Sequence, residues 1–150
     1  MKDYKIRRVK SYNSILKNLQ ECSDSLFNQK YNNKECLKEL SKKYSKNALF
    51  YILEIENETA GIISFYANDT IRKVGFVTMI VVKKQYQGLK LGNILIDIAI
   101  SVCKLQGLFS LQLEVNGKNE KAVRFYERNG FSIHENKDGN LVLSKSVISS

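Results

Sequence analysis

The residues best suited to bind an anion lie in one segment, 74–98, where a strand, a turn and a helix follow one another. Its first part, Val74–Val82, is rich in β-branched and apolar residues, which is typical of a buried strand. Gly88 and Gly92 follow a polar turn and lead into a stretch that predicts an amphipathic helix. The first N–H groups of a helix lack internal acceptors and lie at the positive end of its dipole. The segment therefore predicts an anion site, typically for a phosphate.

The spacing within the turn narrows the kind of phosphate site. Gln87, Lys90 and Gly92 form the pattern Gln-x-x-Lys-x-Gly, which lacks the Gly-Lys-Ser/Thr ending of a P-loop and the G-x-G-x-x-G of a Rossmann turn. Lys90 leaves two interpretations open. A positive φ there would cost lysine about 1 kcal/mol or more, whereas a place in the first helical turn would let its ammonium reach a phosphate. We favour the helical interpretation. A plain strand–turn–helix without a ligand is the alternative for the whole segment.

A second segment, residues 113–131, reads LEVNGKNEKAVRFYERNGF. Together the two segments resemble the GCN5-related N-acetyltransferases (the GNAT superfamily), whose acetyl-CoA loop reads Gln/Arg-x-x-Gly-x-Gly/Ala. Lys90 stands where that family usually has glycine. The family's later pattern is Val-x-x-x-Asn-x-x-Ala-x-x-Phe-Tyr-x-x-x-Gly-Phe. The residues that match it are Val115, Asn119, Ala122, Phe125, Tyr126, Gly130 and Phe131.

The resemblance implies a fold and a co-substrate. It implies one α+β domain over residues 1–150, with a GNAT-like mixed sheet of about seven strands, a splay between the fourth and fifth strands, and about four helices. Acetyl-CoA is the implied co-substrate, with no metal. Its pantetheine amides could pair as a false strand with the central strand, and its pyrophosphate could rest on the turn. The implied cofactor-binding residues are Ile80, Val81, Val82, Gln87, Gly88, Leu89, Lys90, Leu91, Gly92, Asn119 and Tyr126.

The implied reaction is direct acyl transfer in a ternary complex, with a primary amine of a small molecule as the acceptor. Tyr126 is the expected general acid, because a phenol with a pKa of about 10 can donate a proton to a departing thiolate, whose thiol has a pKa of about 8.5. A core tyrosine with a satisfied hydroxyl is the alternative. Asn119 opens the same predicted helix and can also cap it.

Glu114 is the candidate base. Alternation along its predicted strand directs its side chain to the face opposite that of its neighbours. A carboxylate there could accept the proton of the attacking ammonium, and a surface carboxylate is the equal alternative. In family members that acetylate protein N-termini, a glutamate at this place is the proposed base. Acetylation of a protein N-terminus, of the ribosomal-protein type, is thus an alternative function, and a non-catalytic CoA-binding module is another.

Composition limits the other classes of function. The chain has 150 residues and a net charge of +9, but its lysines are scattered and aromatic stacking motifs are missing, which disfavours specific nucleic-acid binding. The three cysteines lack C-x-x-C spacing, so we predict reduced thiols at Cys22, Cys36 and Cys103. His134 is the single histidine, which disfavours a zinc site. No apolar run approaches the roughly 18 residues of a membrane span, and no signal peptide is recognised. We expect a cytoplasmic monomer or homodimer that does not bind membranes.

The elements that must position these residues follow from periodicity and turn signals. Strands are predicted at 4–9, 48–55, 59–66, 74–82, 110–115, 131–135 and 140–145. Helices are predicted at 12–22, 33–44, after Gly92, and 120–128. The acceptor pocket is expected from the first two helices, their connector with Phe27 and Tyr31, and the strand pair around Tyr66.

Overall fold

The computed structural model describes residues 3–26 and 33–148. Within them the chain forms seven strands and four α-helices. In chain order these are β1 (Tyr4–Val9), α1 (Tyr12–Glu21), α2 (Lys34–Asn47), β2 (Leu49–Ile55), β3 (Glu58–Tyr66), β4 (Val74–Val82), α3 (Leu91–Leu105), β5 (Ser110–Asn116), α4 (Glu120–Arg128), β6 (Ser132–Lys137) and β7 (Asn140–Ser146). Short 3-10 turns lie at Ser23–Ser25 and Lys84–Tyr86.

The seven strands form one mixed sheet in the order β1-β2-β3-β4-β5-β7-β6. β1 pairs antiparallel with β2 and β2 with β3, and β7 pairs antiparallel with both β5 and β6. The parallel pair is β4 and β5, because the chain crosses over through α3 between them. The predicted mixed sheet of about seven strands with four helices is confirmed.

The parallel ladder between β4 and β5 covers only the beginning of each strand. It runs from Val74 opposite Ser110 to Val77 opposite Leu113. β4 continues to Val82 and β5 to Asn116, so the described C-terminal ends of both strands lie beyond the ladder. This early end of pairing is the splay predicted between the fourth and fifth strands.

The end of α4 explains why the next strand starts later than predicted. Gly130 has a φ of 91°, and the Phe131 N–H donates to the Tyr126 carbonyl at 3.0 Å, which is the hydrogen bond of a Schellman turn. Phe131 therefore belongs to the exit of the helix. β6 begins at Ser132 and not at residue 131.

The predicted connector between the first two helices begins with the 3-10 turn at Ser23–Ser25. Phe27 and Tyr31, which were predicted to line the acceptor pocket, lie outside the described residues. α2 continues past its predicted end at residue 44, because the Ala48 N–H still donates to the Tyr44 carbonyl at 3.2 Å. No helix in the described part of the chain is long and apolar enough to cross a membrane.

The chain divides into two compact units. Met1–Phe65 with Met79–Asp97 form the first unit, and Tyr66–Thr78 with Ile98–Ser150 form the second. The core of the first unit joins α1 and α2 to the sheet, and it contains Val9, Ile15, Leu19, Leu37, Tyr44, Phe50, Ile52, Ile62, Met79 and Val81. Buried residues of the second unit include Ala99, Cys103, Leu111, Leu113, Tyr126, Phe131 and Leu143. The single domain expected from the sequence stays a prediction.

Candidate functional site

The turn between β4 and α3 holds two residues with left-handed backbone. Gly88 has a φ of 87° and Lys90 a φ of 62°, and α3 begins one residue later, at Leu91. The favoured interpretation of Lys90 as part of the first helical turn is therefore wrong. Glycine adopts this backbone conformation readily, whereas an L-residue with a side chain loses about 1–2 kcal/mol in it. Lys90 is thus held at a strained position.

The main-chain N–H groups of residues 88–93 form a row of donors without an acceptor in the part of the chain that the structure describes. The first hydrogen bond of α3 runs from the Ile94 N–H to the Lys90 carbonyl at 3.4 Å, so the amides of residues 91–93 have no acceptor within the helix. Among the described residues, no acceptor pairs with them or with the amides of residues 88–90. Consecutive unpaired amides in such a turn form a concave donor surface, and the helix dipole adds positive potential to it. Such a row of donors suits an anion such as a phosphate.

Two residues of β4 have main-chain groups on the edge that faces away from β3. The Lys83 N–H donates to the Ala60 carbonyl of β3 at 2.9 Å. Because the hydrogen-bonding groups of successive residues point alternately to the two sides of a strand, Val81 also faces β3. Ile80 and Val82 then face away from it. Of the three residues predicted to pair with pantetheine, these two have their main chain directed suitably.

The side chains of the predicted cofactor residues differ in exposure. Val81 and Leu91 are buried, so only their main-chain atoms could meet a ligand. Gln87 and Leu89 are exposed. The Gln87 Nε2 donates to the Val82 carbonyl at 3.1 Å, which ties the turn back to the last residue of β4. Gln87 therefore shapes the turn through its side chain.

Glu58, at the start of β3, holds the beginning of this turn, and no sequence pattern points to it. Its Oε2 accepts a hydrogen bond from the Tyr86 hydroxyl at 2.8 Å, and its Oε1 lies 3.6 Å from the Lys83 Nζ. The Tyr86 hydrogen bond, and then the Lys83 charge, lower the pKa of the Glu58 carboxyl, while the same hydrogen bond raises the pKa of the Tyr86 phenol. Glu58 and Tyr86 are 28 residues apart, so only the pairing of strands brings them together.

Asn119 and Tyr126 lie on α4 in the second unit. The Asn119 Oδ1 accepts a hydrogen bond from the Ala122 N–H at 3.2 Å, so the predicted helix cap is present. Tyr126 is 8% exposed, and its ring meets those of Phe125 and Phe131 edge-on, with centroids 5.1 and 5.9 Å away. Burial raises the pKa of Tyr126 to about 12. No described residue forms a hydrogen bond with its hydroxyl, and this hydroxyl is not one of the fully buried polar atoms that lack a partner, so the general-acid and core-tyrosine interpretations both stay open.

Glu114 faces solvent on β5. Its side chain is 48% exposed, and its Oε1 lies 3.7 Å from the Lys137 Nζ. Leu111 and Leu113 of the same strand are buried, so the alternation predicted for this strand is present. Exposed ion pairs of this kind contribute little to stability. Stability measurements therefore would not separate the two interpretations of Glu114, as a base or as a surface residue. The reaction rate of a Glu114 variant would.

The remaining predictions for the site concern the acceptor and metals. Tyr66, at the end of β3, is half-buried, and this burial raises the pKa of its phenol. Over residues 3–26 and 33–148, no three His, Cys, Asp or Glu side chains lie close enough together to hold a metal ion.

Sequence comparison places the chain among known acetyltransferases. Residues 13–131 match the model of the acetyltransferase (GNAT) family. One relative is the spermidine N(1)-acetyltransferase of Thermoplasma acidophilum, which is 22% identical over 126 residues. The match covers 84% of this chain and 77% of that protein.

Structural comparison finds the same fold in solved acetyltransferases. The PaiA N-acetyltransferase of Thermoplasma acidophilum, in complex with coenzyme A, superposes with a TM-score of 0.77 at 20% identity, over 96% of this chain and 99% of that one. The ribosomal-protein-S18-alanine N-acetyltransferase of Escherichia coli superposes with a TM-score of 0.79 at 18% identity. The superposition covers 99% of this chain and 96% of that one. At these identities the likeness shows the fold alone.

Proposed function

Because the chain belongs to the GNAT family of acetyltransferases, we propose that it transfers the acetyl group of acetyl-CoA to a primary amine of a small molecule. The observation that carries this proposal is the row of amides at residues 88–93 that have no acceptor among the described residues. This row follows, after a short 3-10 turn, a strand whose parallel pairing ends at Val77. Acetyl-CoA has a pyrophosphate that such amides can bind and two pantetheine amides that can pair with a strand edge.

The turn binds the co-substrate mainly through its main chain. The amides of residues 88–93 donate to the pyrophosphate oxygens, and the main chain of Ile80 and Val82 pairs with the pantetheine amides. The Lys90 ammonium, on an exposed side chain, adds positive charge beside the phosphates. Asn119 contacts the co-substrate as well, as its place in the family pattern implies. The bound thioester supplies the activated acetyl group.

The transfer forms one C–N bond and breaks the C–S bond of the thioester. The acceptor ammonium gives a proton to Glu114, the proposed base, directly or through water. The free amine then attacks the carbonyl carbon, and the coenzyme A thiolate leaves. The Val82 N–H is the proposed donor to the developing oxyanion. Tyr126 is the proposed donor to the departing sulfur, since burial keeps its phenol protonated at neutral pH. As the amide forms, the nitrogen releases a second proton, which balances the one that the sulfur gains. Because the amine attacks the thioester directly, no covalent acyl-enzyme forms.

A polyamine is the acceptor class to test first, because the relative from Thermoplasma acidophilum is a spermidine N(1)-acetyltransferase. The assay measures thiol release from acetyl-CoA with a panel of amines, namely spermidine, an amino sugar and an amino acid. Turnover that depends on one of these amines supports the proposal. Acetyl-CoA binding without turnover on any amine overturns the catalytic part, and absence of acetyl-CoA binding overturns the whole.

Acetylation of a protein N-terminus is the second candidate function. The place of Glu114 in the sequence pattern favours it. Mass spectrometry of peptides with free α-amines, incubated with acetyl-CoA, separates the two candidates. Acetylation of peptides with no turnover on small amines would replace the first candidate by the second. A cytoplasmic location and a monomeric or homodimeric state stay predictions.

A further inference from the structure

The Glu58 carboxylate contacts two residues at the beginning of the β4–α3 turn, Lys83 and Tyr86. One carboxylate oxygen accepts the Tyr86 hydroxyl hydrogen bond at 2.8 Å, and the other lies 3.6 Å from the Lys83 ammonium. Lys83 immediately precedes the 3-10 turn Lys84–Tyr86, and Tyr86 is the last residue of that turn, which lies between β4 and the amide row of residues 88–93. One carboxylate at the start of β3 therefore contacts the turn at its entry and at its exit.

Two main-chain hydrogen bonds also hold Lys83 and Lys84 in place. The Lys83 N–H donates to the Ala60 carbonyl at 2.9 Å, and the Lys84 N–H donates to the Ser25 Oγ at 3.1 Å. The Lys83 side chain is only 9% exposed, so its charge needs a close counter-charge. Glu58 supplies that counter-charge. Without Glu58, Lys83 loses the carboxylate that it pairs with, and we expect the turn that follows Lys83 to shift.

We propose that Glu58 is a positioning residue for acetyl-CoA binding, which it supports by fixing the 3-10 turn so that the amides of residues 88–93 converge on the pyrophosphate. This inference rests on the proposed function. Glu58 does not touch the reacting atoms, so its loss weakens co-substrate binding and leaves the chemical step unchanged. A purely surface ion pair would change neither quantity.

The variants are chosen to remove the two contacts separately. Tyr86→Phe removes one hydrogen bond, and we expect the Kd for acetyl-CoA to rise about threefold. Glu58→Ala removes both contacts, and we expect a rise of about tenfold. Glu58→Gln keeps an acceptor for the Tyr86 hydroxyl but loses the charge that faces Lys83, so its Kd should lie between those of the wild type and Glu58→Ala. In every variant kcat should stay within twofold of the wild-type value.

A double-mutant cycle tests whether Glu58 and Tyr86 act together. If they do, the double variant binds acetyl-CoA no more weakly than Glu58→Ala alone, because the hydrogen bond is already gone. Glu35→Gln is the matched carboxylate control, since Glu35 is exposed and lies 3.6 Å from the Lys38 Nζ. Tyr4→Phe is the matched phenol control, on the exposed strand β1. Both controls should bind acetyl-CoA as the wild type does.

Calorimetric Kd, KM, kcat and melting temperature are measured for each protein. A rise in Kd and KM at unchanged kcat, with a small change in melting temperature, supports the positioning role of Glu58. An unchanged Kd in Glu58→Ala, or a loss confined to kcat, overturns it. If the wild-type protein itself does not bind acetyl-CoA, the proposed function fails instead, so the two failures are distinguishable.

Discussion

Replacing Lys90 tests whether the turn has the left-handed backbone on which the amide row depends. At a φ of 62°, alanine retains the steric cost of a Cβ atom, about 1–2 kcal/mol, whereas glycine does not. Glycine in turn lowers the free energy of unfolding by about 0.5–1 kcal/mol relative to alanine, because it loses more conformational entropy on folding. Lys90→Gly should therefore be more stable than Lys90→Ala by about 0.5–1 kcal/mol, which corresponds to a melting temperature about 2 °C higher for a chain of this size.

The control is an exposed lysine at an ordinary helical position. Lys43 lies inside α2, where alanine should be more stable than glycine by about 1 kcal/mol. The sign of the glycine–alanine difference should thus reverse between residues 90 and 43 when chemical or thermal unfolding is measured. If alanine is the more stable residue at both positions, the left-handed conformation of Lys90 is refuted. The convergence of the amides would then have no support.

The same variants separate backbone shape from charge. Lys90→Gly and Lys90→Ala both lose the ammonium, so both should bind acetyl-CoA more weakly than the wild type at low salt, and this difference should shrink as salt screens the phosphates. Lys90→Arg keeps the charge and should bind as the wild type does. A loss of affinity in Lys90→Arg equal to that in Lys90→Ala would contradict a role for the charge.

The other predictions concern the second unit. Tyr126→Phe should lower kcat about 10–100-fold with little change in the Kd for acetyl-CoA, and an unchanged kcat would remove its role. Because the pKa of Tyr126 is raised to about 12, its ionisation should cause no loss of rate in a pH–rate profile measured up to pH 10. Glu114→Gln, whose amide cannot accept a proton, should lower kcat about 10–100-fold, and an unchanged kcat would assign Glu114 to the surface. Gly75→Ala should lower the free energy of unfolding by about 1–3 kcal/mol in denaturant titrations, since its Cβ would lie 2.5 Å from the Cys103 Sγ. Equal stability would show that the Cys103 side chain moves aside.

Strong local signals predicted several elements to the residue. The strands at Tyr4–Val9 and Val74–Val82 and the helix at Glu120–Arg128 have the predicted bounds. The Asp138-Gly139 pair predicted a tight hairpin, and φ angles of 53° and 94° give it the left-handed residues of a type I′ turn. Each of these signals is a short run of residues whose side chains or backbone preferences act on their immediate neighbours.

The turn after β4 was harder to predict, because its shape depends on residues far away in the sequence. Lysine disfavours a left-handed backbone, so residue type alone pointed to a helical place for Lys90, and that interpretation was wrong. Glu58 carries no motif, and its contact with Tyr86 follows only from the packing of β3 beside β4. Side chains and strands that fix a loop from outside can overrule the local preference of the loop's own residues.

The sequence constrains the acceptor least, and its class stays a prediction. Its class depends on side chains from several elements, and two of the residues assigned to it, Phe27 and Tyr31, lie outside the described residues. Acetyl-CoA recognition, by contrast, uses a compact pattern of consecutive residues. A sequence therefore records the shared co-substrate of such a family more plainly than the individual amine.

The amide row at residues 88–93 also bears on how this gene can change over time. A ligand held by peptide groups is insensitive to most missense mutations in the codons that supply those groups, provided that the loop keeps its path. Drift can therefore replace an exposed, uncharged side chain there, such as that of Leu89, with little penalty. The distant residues that set the path of the loop, Glu58 among them, come under purifying selection. Surveys of natural variants should find more variation in the loop than at the residues, such as Glu58, that hold the loop in place.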